Sequence, residues 1–176
     1  MAKKLLLDEL NRLSISEFKK ASKVPVVIVL DNIRSLSNIG SIFRTADAFR
    51  IEAVYLCGIT AQPPHREIHK TALSATESVD WHYFSSTKEA VKNLKSENFK
   101  IISIEQVDNS IMLNKFLPEP QSKYALIFGN EVNGVGDDII ELSDNCIEIP
   151  QHGTKHSFNV SVSVGIILWD IVLKLK

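Results

Sequence analysis

The run Val24–Leu30, VPVVIVL, is apolar at every position and rich in β-branched side chains. A strand with one wet face would alternate apolar with polar residues. A strand that never alternates lies inside a sheet covered on both faces, and such sheets are built of parallel strands joined by helices. The remaining chain agrees. Ala53–Cys57, Trp81–Phe84, Phe99–Glu105, Tyr124–Phe128 and Cys146–Ile149 read as further strands. Asn38–Arg50 reads as a helix, with Ile39, Ile42, Phe43, Ala46 and Phe49 on one face and Arg44 pointing away from it. His69–Ala75 reads as a short helix, and Ser86 with Glu89 opens another at capping-box spacing. Asp137–Ser143 gives a turn or two. In Ser157–Lys174, Val160, Val164, Ile167, Leu168, Ile171 and Leu175 recur at helical steps around the end of the chain. The expected fold class is α/β: a mostly parallel sheet covered by helices on both faces.

Residues 1–23 read as a short N-terminal helical extension, with Leu6, Leu10 and Leu13 at helical spacing and a capping box at Ser14 and Glu17. No linker or repeat divides residues 1–176, which are expected to form one domain. The formal net charge is −1, so the chain is not a basic glove for nucleic acid, and any such contact must come from a local patch. Cys57 and Cys146 each sit among apolar residues without a CxxC partner and read as buried free thiols in a reducing compartment. The opening MAKKLLLDELNRL is too short an apolar stretch for a signal peptide, and no uncharged run reaches bilayer length. The location expected is cytoplasmic, with no membrane partner.

Several familiar motifs fail. Gly134 and Gly136 begin a G-x-G, but Ile139 stands where a third glycine belongs, and there is no G-x-x-x-x-G-K loop. HREIH, His65–His69, lacks the glutamate of the zinc-protease pattern and follows Pro63-Pro64. It reads as a solvated, mildly basic loop carrying Arg66 and Lys70, and no metal is expected.

Three stretches with polar loops at strand or helix ends remain: Ser37–Arg50, Phe128–Gly136 and Ile149–Asp170. Taken singly, their residues have ordinary explanations. Asn38 reads as a helix N-cap and Arg44 as a solvated charge. Glu131 is a turn residue, Ser157 the N-cap of the last helix and Asn159 a first-turn residue. Together they suggest one composite site at the carboxyl edge of the sheet, where open α/β folds bind ligands.

NIGSIFRTADAF, FGNEVNGV and IPQHGTKHSFNVSVSVGI resemble, in order and spacing, the three motifs of the SPOUT methyltransferase superfamily, TrmH (SpoU) branch. The resemblance runs from about Val24 to the C-terminus. Phe158 stands where leucine is usual and Gln151 where methionine is common. The resemblance implies a C-terminal deep trefoil knot, S-adenosylmethionine as cofactor, and a homodimer with the last helix in its interface. It implies cofactor contacts at Ile104, Glu105, Gly129, Ile149, Ser157 and Phe158, with Gly129 admitting close backbone approach of the cofactor. It implies RNA 2′-O-ribose methylation, with Asn38, Arg44, Glu131, Ser157 and Asn159 as the catalytic set. Arg44 would act electrostatically, because a guanidinium holds its proton too tightly to serve as a base. Arg34, Arg50, Arg66, Lys70 and Lys155 would meet RNA backbone. With only 23 residues before the first strand, tRNA is expected over rRNA. A related knotted base methyltransferase and a noncatalytic RNA-binding dimer are the alternatives.

Overall fold

In the computed structural model, which describes residues 2–175, the first strand β1 (Val24–Asp31) lies in the interior of a seven-stranded sheet, between β2 and β6. The other strands are β2 (Ile51–Cys57), β3 (Asp80–Phe84), β4 (Phe99–Ile104), β5 (Ile111–Met112), β6 (Lys123–Phe128) and β7 (Asn145–Glu148). Their order across the sheet is β3-β2-β1-β6-β4-β7-β5, and every pairing is parallel. The alternation hidden in VPVVIVL is now visible. Val26, Ile28 and Leu30 enter the apolar layer on one face, and Val27 and Val29 enter the layer on the other.

The first layer packs α1 (Ile15–Lys20), α2 (Leu36–Phe49), α3 (Arg66–Ala72), α4 (Ala75–Ser78) and α7 (Val160–Leu175) on the sheet. The second carries α5 (Thr87–Ser96) and α6 (Asp137–Ile140). In α7, Val160, Val164, Ile167, Leu168, Ile171 and Val172 are buried. At about 1.5–3 kcal/mol per buried side chain, that face contributes on the order of 10 kcal/mol of gross stabilisation. α2 and α3 approach closely because residue 40 is glycine: a Cβ there would lie 2.1 Å from Thr71 Oγ1 and 2.3 Å from the Ile68 carbonyl. Thr71 Oγ1 also donates to the Ser37 carbonyl at 3.1 Å, which fixes the first turn of α2.

Several elements differ from the sequence reading. Leu6, Leu10 and Leu13 do not share a helix. A single 3-10 turn (Leu7–Leu10) ends at Asn11, whose φ of 48° breaks the run, and the three leucines are exposed. The helix after it is capped as expected, with Glu17 N donating to Ser14 Oγ and Ser14 N donating to the Glu17 carboxylate. HREIH is a helix start rather than a loop: His65 is the N-cap of α3, its Nδ1 accepting from Glu67 N at 3.2 Å. Asn38 is not an N-cap either. Ser35 caps α2 and accepts from Asn38 N at 3.3 Å, which frees the Asn38 side chain. At α7 the cap is Asn159 and not Ser157. Asn159 Oδ1 accepts from Ser161 N at 3.0 Å, and Ser157 lies before the helix. β5 is two residues long and carries no periodicity by which a sequence could announce it.

Candidate functional site

The carboxyl ends of β4, β6 and β7 open on a cavity of about 560 Å³. Its apolar floor is Ile104, Phe128 and Ile147, and Ile149 and Phe158 add apolar walls. Glu105, Glu131, Ser157 and Asn159 stand on its rim, and Gly129 lines it as well. The cavity therefore gathers Ile104, Glu105, Gly129, Glu131, Ile149, Ser157, Phe158 and Asn159 from three separate loops. Its place, at the carboxyl edge where strand order doubles back, is where α/β sheets take ligands.

A chain of side-chain hydrogen bonds ties the loops after β6 and β7 to the first turn of α2. Asn159 Nδ2 donates to Asn38 Oδ1 at 3.1 Å, and Asn38 Nδ2 donates to Glu131 Oε1 at 3.0 Å. The direction is forced. An ionised carboxylate only accepts, so Asn38 must donate to it and turn its oxygen toward Asn159. Asn159 then donates from its nitrogen and keeps its oxygen for the α7 cap, where Ser161 Oγ also donates to it at 2.6 Å. Asn38 does not line the cavity itself; it holds two residues that do.

The loop after β6 is braced from within. Asn130 Oδ1 accepts from Val132 N at 3.1 Å and from Asn133 N at 2.9 Å. Gly134 N donates to the Asn130 carbonyl at 3.0 Å. Glu105, at the end of β4, accepts from Val135 N at 2.9 Å and from Gln106 N at 2.9 Å. Its carboxylate is thus engaged in shaping the cavity wall. Gly129 also has a steric reason within the protein itself. A Cβ there would fall 2.0 Å from the Gly134 carbonyl carbon and 2.2 Å from Val135 N. The glycine is required by the protein's own returning loop, before any ligand is considered.

The structure does not bring Arg44 into this cavity. It is exposed, two turns along α2 from Asn38, with no ion pair among the described residues. The other basic candidates are also exposed but scattered. Arg34 lies in the turn after β1, and Lys155 in the segment between β7 and α7. Arg66 and Lys70 lie on α3, where Lys70 pairs with Glu67 at 2.7 Å. Arg50 sits at the far end of α2, its carbonyl accepting from Val24 N at the amino edge of the sheet. Sequence reasoning missed Asn130 as a loop brace; its signal was an asparagine followed by another turn former in FGNEVNGV. Burial pushes the Cys57 thiol up to about 12 and raises that of Cys146, so neither is poised as a nucleophile. Among the described residues no cluster of His, Cys, Asp or Glu could hold a metal ion, and no helix is long and apolar enough to cross a membrane.

The chain is similar to an uncharacterized tRNA/rRNA methyltransferase of Borreliella burgdorferi, 32% identical over 165 residues that cover 92% of this chain and 69% of that protein. It is also similar to a 23S rRNA (guanosine-2'-O-)-methyltransferase of Neisseria meningitidis, 31% identical over 147 residues, 84% of this chain and 58% of the relative. It therefore spans 58–69% of the length of these relatives. The AdoMet-bound rRNA methyltransferase structure from Sinorhizobium meliloti shares the fold, with a TM-score of 0.78 at 21% identity, covering 87% of this chain and 58% of that one. Residues 25–169 match the SpoU rRNA Methylase family. A match that begins in β1 and ends at Trp169 in α7 takes in every strand of the sheet, and the chain belongs to that family.

Proposed function

We propose that this protein methylates the 2′-hydroxyl of a ribose in tRNA or rRNA, with S-adenosylmethionine as donor. The observation that carries the reading is the Asn159–Asn38–Glu131 chain of hydrogen bonds, which ties the loops after β6 and β7 to the first turn of α2 at the mouth of one cavity. The cavity's size suits a nucleoside-sized cofactor, and its lining suits one with an apolar ring and a polar tail. Ile104, Ile147, Ile149 and Phe158 offer a flat heterocycle apolar contact, and the strand tips offer backbone groups. When bound, the cofactor supplies an electrophilic methyl on a sulfonium sulfur. With such a donor held against Ile104, Ile149 and Phe158, the residues at the cavity mouth would hold the ribose hydroxyl in line with the methyl and leave its proton a path to solvent. What the protein contributes is alignment, and the Asn159–Asn38–Glu131 chain holds the rim for it. Ser157, free before α7, reaches the ribose or cofactor.

Arg44 serves the site of a second subunit. Val162, Ile166, Trp169 and Leu173 form a stripe on α7 at helical spacing, and Trp169 and Leu173 are 62% and 53% exposed. An apolar stripe of this kind supports a symmetric homodimer. α2 packs beside α7, with Phe49 edge-on to Trp169 at 6.5 Å, so the helix that carries Arg44 borders the stripe. There the Arg44 guanidinium would stabilise developing charge on the ribose oxygen or hold the adjacent phosphate. Strand order supports the trefoil knot: from β4 the chain goes to the sheet edge at β5, returns inside β4 as β6, then inserts β7 between β4 and β5. Two unpaired, buried cysteines fit a reducing compartment and support a cytoplasmic location.

The test is transfer of labelled methyl to unmodified tRNA and rRNA, followed by digestion to nucleosides. Label in 2′-O-methylnucleosides is expected. Label on a base would move the protein to base methylation, and cofactor binding without any transfer would make it a noncatalytic RNA-binding dimer.

A further inference from the structure

A second cavity, of about 510 Å³, lies between α3, α4 and β3, away from the one described above. Its back wall is the indole of Trp81, half-buried with its inner side against the apolar layer under α2. Pro64 adds an apolar face at its mouth, and His65, Arg66, His69 and Glu77 stand exposed around it. One of these groups is already oriented. His65 Nδ1 accepts from Glu67 N, so its Nε2–H is the nitrogen left to donate outward. Glu67, the acid next to Arg66 in sequence, is engaged by Lys70, and Arg66 has no ion pair among the described residues. The site thus offers a flat aromatic wall, planar donors and a single carboxylate acceptor.

We propose that this cavity takes an unpaired nucleobase of the RNA, as a subsite separate from the reaction centre. The proposal rests on the reading of the protein as an RNA methyltransferase. A base presents a flat apolar face and a polar edge with both donors and acceptors, which Trp81 and the His65–Glu77 rim match. Arg66 meets the flanking phosphate. Glu77 in the wall disfavours a bare phosphate as occupant. The subsite is joined to the reaction centre through packing: Thr71, at the other end of α3, donates to Ser37, the neighbour of Asn38.

The experiment follows the indole Nε1–H resonance of Trp81, assigned by its loss in Trp81→Phe, during titration of the full chain with a short single-stranded oligoribonucleotide. A saturable shift is expected, absent with inorganic pyrophosphate and with the same sequence as a duplex. His69→Ala, at an exposed position, should raise the RNA dissociation constant by roughly 5- to 100-fold, the range for loss of one base contact; Arg66→Ala, also exposed, should weaken binding and lower its salt dependence; both should leave cofactor affinity unchanged. A Trp81 resonance that stays put at saturating RNA overturns the proposal, as does an equal shift with pyrophosphate or a shift produced by an acidic peptide alone. The titration needs no turnover. A protein that methylates RNA with Trp81 unmoved loses only the subsite, and one that binds RNA at Trp81 without methylating it loses only the proposed reaction.

Discussion

Asn38→Asp tests the hydrogen-bonded chain at its centre. The substitution keeps shape and leaves an oxygen to accept from Asn159, but it sets a second carboxylate against Glu131, whose bond to Asn38 is 3.0 Å long. Two unit charges about 4 Å apart repel by about 1 kcal/mol in water and by about 4 kcal/mol at an effective dielectric of 20. Glu131 is exposed and Asn38 half-buried, so the lower part of that range applies. Loss of the charge-assisted hydrogen bond adds about 1 kcal/mol. The expected destabilisation is about 2–3 kcal/mol, a fall in Tm of roughly 4–12 °C for a chain of this size. A pair of close carboxylates has a raised pKa, so the penalty is largest near neutral pH and shrinks as pH falls through the carboxylate range. Adding Glu131→Gln supplies an amide that donates to the new carboxylate and should recover at least half of the loss. The assay is denaturant and thermal unfolding of the four proteins of the double-mutant cycle, with cofactor affinity measured alongside. If the two substitutions add within about 0.5 kcal/mol, the directed chain of bonds is wrong.

Arg44→Ala should fold and bind cofactor as the parent does and lose methyl transfer by roughly 10²–10³, with little recovery in Arg44→Lys; full activity in a methyl-transfer assay refutes its role. Trp169→Glu should turn a dimer into a monomer in light scattering at micromolar concentration, and a wild-type protein that is itself monomeric sinks the interface. Gly129→Ala should cost about 1–3 kcal/mol or more in unfolding experiments, because its Cβ meets backbone, whereas Gly153→Ala, with nothing within 4 Å, should be near neutral. Equal Tm values for the two glycine variants would remove the steric explanation.

The sheet was legible because VPVVIVL and YALIF must be buried on both faces, and burial of that kind has few architectures. The three polar loops were legible because strand tips and helix mouths are where polar side chains escape the core. What failed has physical causes. Leu6, Leu10 and Leu13 have helical spacing but no surface to pack on, and periodicity without burial does not hold a short helix. Asn38 was mistaken for a cap because asparagine caps well, and the competing serine three residues earlier looks the same on paper. The reason for Gly129 lay in residues that only the fold brings near it.

The parallel order of the sheet has a consequence for how the protein is made. β1, β2 and β3 are neighbours in sequence and in space, yet β1 must wait for β6, about a hundred residues later, to complete its other edge. Every side chain lining the cavity under β4, β6 and β7 lies at or beyond Ile104. On a ribosome adding about 5–20 residues per second, the first three strands emerge several seconds before the last cavity residue does. Non-local pairing of this kind is slow to form. A ligand that enters only the finished cavity stabilises the finished chain and none of its precursors, so its binding separates molecules that have completed folding from those that have not.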